Sequence, residues 1–414
     1  MLVPSSLLSE FAAHLHDPAL IAPFRLRPGA FTRQRKLTVP RVLAMMLSGM
    51  CTSVQAALDE MFAQSHGLTG RSRECSDRAF AKTRRGFSAQ VFDSLNATLL
   101  ELARPLIDTH RWHGRRVVAA DGSRLRVSTR RGAELDADHY AFALYLPGAE
   151  LTLHAALHPA DGSERQMLFE ALDATGPDDL LVLDRGLIGN TMAATLIQAQ
   201  RAFCMRVDAS GWACVKAFLH SGEAQHIVTL AAPTPADAAT YALRREPTTV
   251  RLIRDVTPSG SVRILVTSLL DEARHPATDF GALYHRRWRI EEAFKRIKHR
   301  LRLQAATGLT HLAFQQDFAA KIVTDNLHAL LTAIPPSADA PPTEPASRPN
   351  RTYAIGALRP ILTGCLLRVS VCMDALTSAL DVIASTRCRI QSGRSYPRPP
   401  RTKPHIYSAY KLCC

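Results

Sequence analysis

With 414 residues the chain is long enough to bury more than one hydrophobic core, so two or three structural units are expected and disulfide staples are unnecessary. Lysine and arginine number 51 against 37 acidic residues, a formal net charge of +14 that favours a polyanionic partner over an acidic small molecule. No run of about 18 apolar residues occurs, and the opening MLVPSSLLSEFAAHLHD lacks a cationic start followed by an apolar stretch, which argues against a membrane span or a secretory leader.

Residues 1–110 show helical periodicity and little strand character. VPRVLAMMLSGMCTSVQAALDEMF and QVFDSLNATLLELARPLID, separated by the basic GLTGRSRECSDRAFAKTRRGFS, predict a helical N-terminal unit. The pattern then changes. RRVVAADGSRLRVS, HYAFALYLPG and ELTLHAAL are short β-branched or alternating runs bounded by Gly, Pro and Asp, as three successive strands are. A helix (ERQMLFEALDA), a strand (DLLVLDRG), a helix (NTMAATLIQAQ) and a strand (AFCMRV) follow, the alternation that builds a layered α/β domain. Over 208–275, HIVTLAA, TTVRLIRDV and SVRILVTSLL read as strands with no convincing helix between the last two, a mostly β insertion. Helix is predicted again over 277–304, and apolar spacing continues in AFQQDFAAKIVTDNLHALLTAI. Residues 334–350 are rich in Pro, Ala and Ser and read as a linker; 351–414 read as a helical C-terminal region whose tail, from Arg387 onward, has seven lysines or arginines and no acid. The nine cysteines are odd in number and lack zinc spacing, as reduced thiols of a soluble intracellular protein would, and the adjacent Cys413 and Cys414 have no partner motif.

The most informative segment runs from Tyr284 to Lys298, YHRRWRIEEAFKRIK. At about 100° per residue, Tyr284, Arg287, Glu291 and Lys298 fall within an arc of roughly 60° on a helix. Beside them Leu283, Ile290, Phe294, Ile297 and Leu301 form an apolar stripe, while Arg286, Arg289, Glu292, Arg296 and Arg300 point elsewhere. A merely solvated helix predicts no such polar stripe. A carboxylate set between a tyrosine, an arginine and a lysine at the edge of the core suits a metal-bound phosphate with donors on either side. Glu292 lies about 100° further round, so Glu291 is the candidate ligand. Phosphodiester chemistry with divalent ions needs several carboxylates. Two aspartates offer themselves at strand ends, where functional groups of α/β sheets collect: Asp121, closing VVAAD before Gly122-Ser123, and Asp184, closing LLVLD before Arg185-Gly186. Taken singly, each is an ordinary turn aspartate. Asp161, Asp173, Asp178 and Asp179 read as turn or cap residues.

The spacing of Tyr284, Arg287, Glu291 and Lys298 resembles the Y-x2-R-x3-E-x6-K signature of the insertion-sequence-four family of DDE transposases and matches it at every fixed position. The order D-G-S, D-R-G, β-rich insertion and helix resembles that family too, over residues 70–330 and most densely over 116–123, 179–190 and 264–301. The resemblance implies an α/β fold: a ribonuclease H-like catalytic core over 111–333 with its mostly β insertion, preceded by a helical DNA-binding domain over 1–110. It implies that Asp121, Asp184 and Glu291 are the catalytic acids and hold two Mg2+ ions, for which Mn2+ can substitute. Tyr284 and Lys298 would meet a terminal phosphate of the DNA end and Arg287 a bridging contact, and Arg185 would contact DNA phosphate or pair with a catalytic acid. The implied reaction is hydrolysis at each transposon end, freeing a 3′-hydroxyl that attacks target DNA. The implied partners are double-stranded terminal repeats and target DNA, bound by a homodimer in the bacterial cytoplasm at the nucleoid. Some relatives flip a base with a tryptophan in the last insertion strand; here that place falls to Arg263, and Trp212 lies at the start of the insertion. The basic stretches 71–85 and 387–411 are candidates for contact with DNA backbone. Two other readings stay open at this point, a nuclease on the same fold that cuts without joining and an inactive element-derived DNA-binding protein.

Overall fold

The computed structural model describes residues 4–33, 35–50, 53–128, 138–208, 212–257, 260–333, 347–389 and 407–408. Most of the linker, most of the basic tail and Cys413 and Cys414 therefore lie outside the described residues. The chain divides into two compact units, the first made of Met1–Pro105, Arg124–His139 and Lys295–Cys414, the second of Leu106–Ser123 and Tyr140–Phe294.

Among the described residues six α-helices precede the first strand: α1 Pro4–Leu15, α2 Val39–Leu47, α3 Val54–Ser65, α4 Asp77–Arg84, α5 Gln90–Leu102 and α6 Arg104–Asp108. Their starts are chemically marked. Ser53 and Ser76 accept from the main-chain N–H groups of Ala56 and Ala79, satisfying donors that a helix N-terminus leaves open, and Pro40 sits in the first turn of α2.

The sheet belongs to the second half of this order. β1 (Arg116–Ser128), β2 (Asp138–Leu146) and β3 (Leu151–Pro159) are followed by α7 (Glu164–Ala171), β4 (Asp179–Leu183), α8 (Asn190–Gln198) and β5 (Ala202–Val207). Then come α9 (Ala213–Ser221), β6 (Gln225–Leu230), α10 (Pro235–Thr240), β7 (Thr248–Val256) and β8 (Val262–Thr267). The strands lie in the order β3-β2-β1-β4-β5-β8-β7-β6. β1, β4 and β5 run parallel, Val118 opposite Leu181 and Leu181 opposite Phe203. This is a mixed α/β sheet with a parallel centre. β4 is buried at every position, as a central parallel strand covered on both faces must be. The 208–275 stretch adds its three strands, all antiparallel, to the β5 edge of the same sheet, and carries two short helices ahead of β7.

Asp179, read from sequence as a turn or cap residue, accepts the N–H of Gly176 and also opens β4, buried, with both carboxylate oxygens on Arg116 of β1 at 2.6 and 2.7 Å. The bidentate pair ties β1, which carries Asp121, to β4, which leads into Asp184. Two helices follow the sheet, α11 (Phe280–His285) and α12 (Trp288–Arg300). α11 lays Phe280, Leu283 and Tyr284 on a face formed by Leu180, Val182, Cys204 and Leu265. Full burial of Phe280 and Leu283 is worth about 2 kcal/mol each.

The remaining helices, α13 (His311–Thr332), α14 (Arg351–Leu366) and α15 (Ser370–Ser385), belong to the first unit. α13 is buried along nearly its whole length, polar residues included, so each of its charges needs a partner. Asp317 takes the Arg84 guanidinium at 2.8 Å, and Asp325 takes two nitrogens of Arg296 at 2.7 Å. Among the described residues no helix is long and apolar enough to cross a membrane.

Candidate active site

Asp121 lies in β1, and Asp184 directly follows the neighbouring parallel strand β4. Their shared ladder ends at Ala119 opposite Val182, and two further places along the same register bring Asp121 level with Asp184, with strands roughly 5 Å apart. β4 ends one residue before Asp184, whose extended backbone leads into a tight turn over Arg185–Leu187. For Asp121 the strand-end expectation needs correction: β1 continues through Gly122-Ser123 to Ser128, because its other edge is still occupied by β2. Glycine at 122 serves close packing rather than a turn. A β-carbon there would overlap the Tyr140 ring and press on the Glu164 carboxylate.

The single helix expected over 277–304 is two helices. Between α11 and α12 the N–H of Arg287 bonds to Tyr284 O, and that of Ile290 to Arg287 O, so the chain is wound at three residues per bond through the joint. Leu283, Ile290, Phe294, Ile297 and Leu301 are buried. Arg287 and Glu291, both in the second unit, meet at 2.7 Å through Nη2 and Oε1. The Arg287 side chain is 5% exposed and that of Glu291 25%. Glu292 is 50% exposed and pairs outward with Arg289.

Arg287 organises the site. The nitrogen that bonds Glu291 also lies 3.9 Å from Asp184 Oδ2, and the field of Asp121 acts on the same guanidinium. Burial alone would lower the Arg287 pKa, but the surrounding Asp184, Tyr284, Asp121 and Glu291 raise it, so it stays charged. Its Nε and Nη1 are buried with no hydrogen-bond partner. Tyr284, in the core against β4, β5 and β8, donates its hydroxyl to Asp184 Oδ1 at 3.2 Å. Burial first, then the Asp184 charge, push the phenol upward, so it remains a neutral donor. Asp121 is pushed up to about 7, chiefly by burial and further by Glu291 and Glu164, against the pull of Arg287.

Several acids thus share one guanidinium, and the site is short of positive charge. An all-oxygen carboxylate set is what hard divalent cations take. The acids are spread around Arg287 rather than drawn to one point: among the described residues no three such side chains are gathered closely enough to hold an ion as they stand. The donor set fits the ions by type and by the charge it lacks.

The other expected residues lie as follows. Lys298, in the first unit, donates to the main-chain oxygen of Arg124 at 2.7 Å. Arg185 is exposed and pairs with Asp208 at 3.1 Å, not with a site acid. Trp212 is half-buried at the N-cap of α9. Sequence reasoning missed Glu164 and Tyr140. Glu164 opens α7, accepts the Tyr140 hydroxyl, and acts on Asp121.

The family model for the transposase DDE domain matches residues 112–327. The transposase InsG for insertion sequence element IS4 of Escherichia coli (strain K12) is 29% identical to this chain over 164 residues, 38% of this chain and 36% of that protein, so the match spans about a third of the relative's length. Among solved structures, a piggyBac transposase synaptic complex with hairpin DNA aligns over 92% of this chain and 85% of its own, at a TM-score of 0.46 and 10% identity.

Proposed function

The chain belongs to the family of transposase DDE domains, and from that premise we propose that it is a DNA transposase that cuts a strand at each end of its element and joins the freed 3′-hydroxyl to target DNA. That family generally works with divalent metal ions. In this reading Asp121, Asp184 and Glu291 hold two of them, Mg2+ by preference and Mn2+ as a substitute. Bound there, the ions supply activation of the attacking oxygen and stabilisation of the leaving one. The observation that carries the reading is the grouping of the acids: Asp184 and Glu291 on one buried guanidinium, with Asp121 level with Asp184 along the strand register.

The chain's own groups then divide the remaining work. The free Nε and Nη1 of Arg287 are buried donors that a phosphate oxygen satisfies on arrival of DNA. Tyr284 orients Asp184 through its hydroxyl. Lys298 and Arg185 take backbone phosphates, Arg185 from its exposed position beside Asp208. Both hydrolysis and joining are in-line displacements at phosphorus, so one acid set serves both in turn and no covalent protein intermediate is needed. Pairing of two element ends calls for a homodimer on double-stranded DNA.

The test uses purified full-length protein, Mg2+ and a supercoiled plasmid bearing the gene with its native flanking DNA. Nicks with 3′-hydroxyl ends at defined flanking positions, followed by joined products, are expected. Cleavage without joining would make it a nuclease, and binding without cleavage an inactive DNA-binding protein.

A further inference from the structure

Arg263 lies in β8, and its surroundings give it a structural task beside the site. Its side chain is 17% exposed and pairs through Nε with Asp255, its register partner on β7. Its Nη2 donates to the carbonyl of Gly281 at 3.1 Å, and its guanidinium carbon stands 5.1 Å from the centre of the Tyr284 ring. Tyr284 in turn donates to Asp184. Gly281 belongs to the same construction: a β-carbon at that position would overlap the Asp255 carboxylate, so α11 approaches the ion pair as closely as only glycine allows. One polar clamp therefore joins β7, β8, the first turn of α11 and the phenol that touches a site acid.

We propose that Arg263 is a positioning residue, which fixes the Tyr284 ring and through it the Asp184 carboxylate, and that it does not read DNA. The proposal rests on the assignment of Asp184 to the metal site made above. Its physical basis is the planar guanidinium. Arginine can pair with a carboxylate, donate to a carbonyl and lie over an aromatic face at once, whereas lysine offers a point charge that keeps the ion pair and loses the stack. Without the stack the ring loses its support on that side. Displacements on the scale of an ångström at a reacting centre cost up to about 100-fold in rate.

The experiment compares wild type with Arg263→Lys, Tyr284→Phe, the double variant and Asp184→Asn, all full-length, by Mn2+ binding to the DNA-free protein (electron paramagnetic resonance) and by Mg2+-dependent cleavage of the plasmid described above. Arg263→Lys keeps a cation against Asp255, so its fold is checked simply by circular dichroism and thermal melting. We expect kcat to fall about 10- to 100-fold with KM for DNA changed less than about threefold, and Mn2+ affinity to weaken as it does in Tyr284→Phe. The double variant should be no worse than Tyr284→Phe alone, because both act along one path. A loss that persists undiminished in the Tyr284→Phe background, or one confined to KM, overturns the proposal and makes Arg263 a DNA contact. If Asp184→Asn loses Mn2+ while Arg263→Lys binds it like wild type, this proposal alone falls. If Asp184→Asn also binds like wild type, the metal-site assignment falls and takes the proposal with it.

Discussion

Asp121→Asn should make the metal-free protein more stable above pH 7 while removing its ability to respond to divalent ions. The Asp121 carboxyl is raised from 3.8 to about 7, first by burial and then by Glu291 and Glu164. A shift of about three units at about 1.4 kcal/mol each corresponds to a penalty on the order of 4 kcal/mol for holding this carboxylate ionised in the folded chain. The sign follows from proton counting. Between about pH 4 and pH 7 the folded chain keeps a proton on Asp121 that the unfolded chain has released, so stability falls as pH rises through that window and the full penalty applies above it. Asparagine removes the ionisation. The stability difference between Asp121→Asn and wild type should grow from about 1 kcal/mol at pH 4.5 to about 4 kcal/mol at pH 8, measured by urea denaturation in EDTA. Adding Mg2+ at pH 8 should raise the wild-type midpoint by mass action and leave that of Asp121→Asn in place. Equal stability differences at pH 4.5 and pH 8, or a variant less stable than wild type at pH 8, would refute the reasoning.

Two further outcomes concern the frame that holds the site. Gly122→Ala inserts a methyl group into the Tyr140 ring beside Asp121, an overpacking that costs about 1–3 kcal/mol; thermal melting should show the loss, and Tyr140→Ala in the same chain should reverse part of it, whereas a melt unchanged by Gly122→Ala would contradict the packing described. Arg84→Met leaves Asp317 ionised in the core of the helical unit, at a cost of about 3–5 kcal/mol, and a double replacement with Asp317→Leu should recover most of it; denaturant midpoints that show no recovery would mean that the pair stabilises the fold as a pair. Arg84 holds the Asp317 pKa below its ordinary value despite burial, so the stability it lends is present above about pH 4 and is lost on acidification.

How far the sequence carried the fold depends on how local the signals were. The strands of the sheet were legible because apolar runs such as DLLVL are bounded by turn residues, and the end of β4 at Leu183 fell where Asp-Arg-Gly predicts it. Separation of Glu291 from Glu292 came from the helical wheel, which needs only spacing, and the structure puts one against Arg287 and the other in solvent with Arg289. What stayed hidden was non-local. Asp179 looks like a turn residue until Arg116, 63 positions earlier, is brought onto it by strand pairing. Glu164 reaches the neighbourhood of Asp121 only because α7 returns from β3 to the sheet, and no motif announces that. The joint at Arg286-Arg287 carries neither glycine nor proline, so nothing in the sequence interrupts the helix there. The β1 strand runs on past Asp121 because β2 pairs with its other edge, which overrides the turn preference of Asp-Gly-Ser.

In the proposed function Glu291, the carboxylate facing Arg287, performs chemistry that its helix neighbour Glu292 does not. Glu291→Ala and Glu292→Ala, each purified full-length, should be compared for Mg2+-dependent cleavage of the plasmid bearing the gene and its flanking DNA, with binding to the same DNA measured in parallel. Glu291→Ala should lose cleavage by about 1,000-fold or more and keep DNA affinity within about threefold, while Glu292→Ala cleaves like wild type. Cleavage by Glu291→Ala at the wild-type rate would contradict the account.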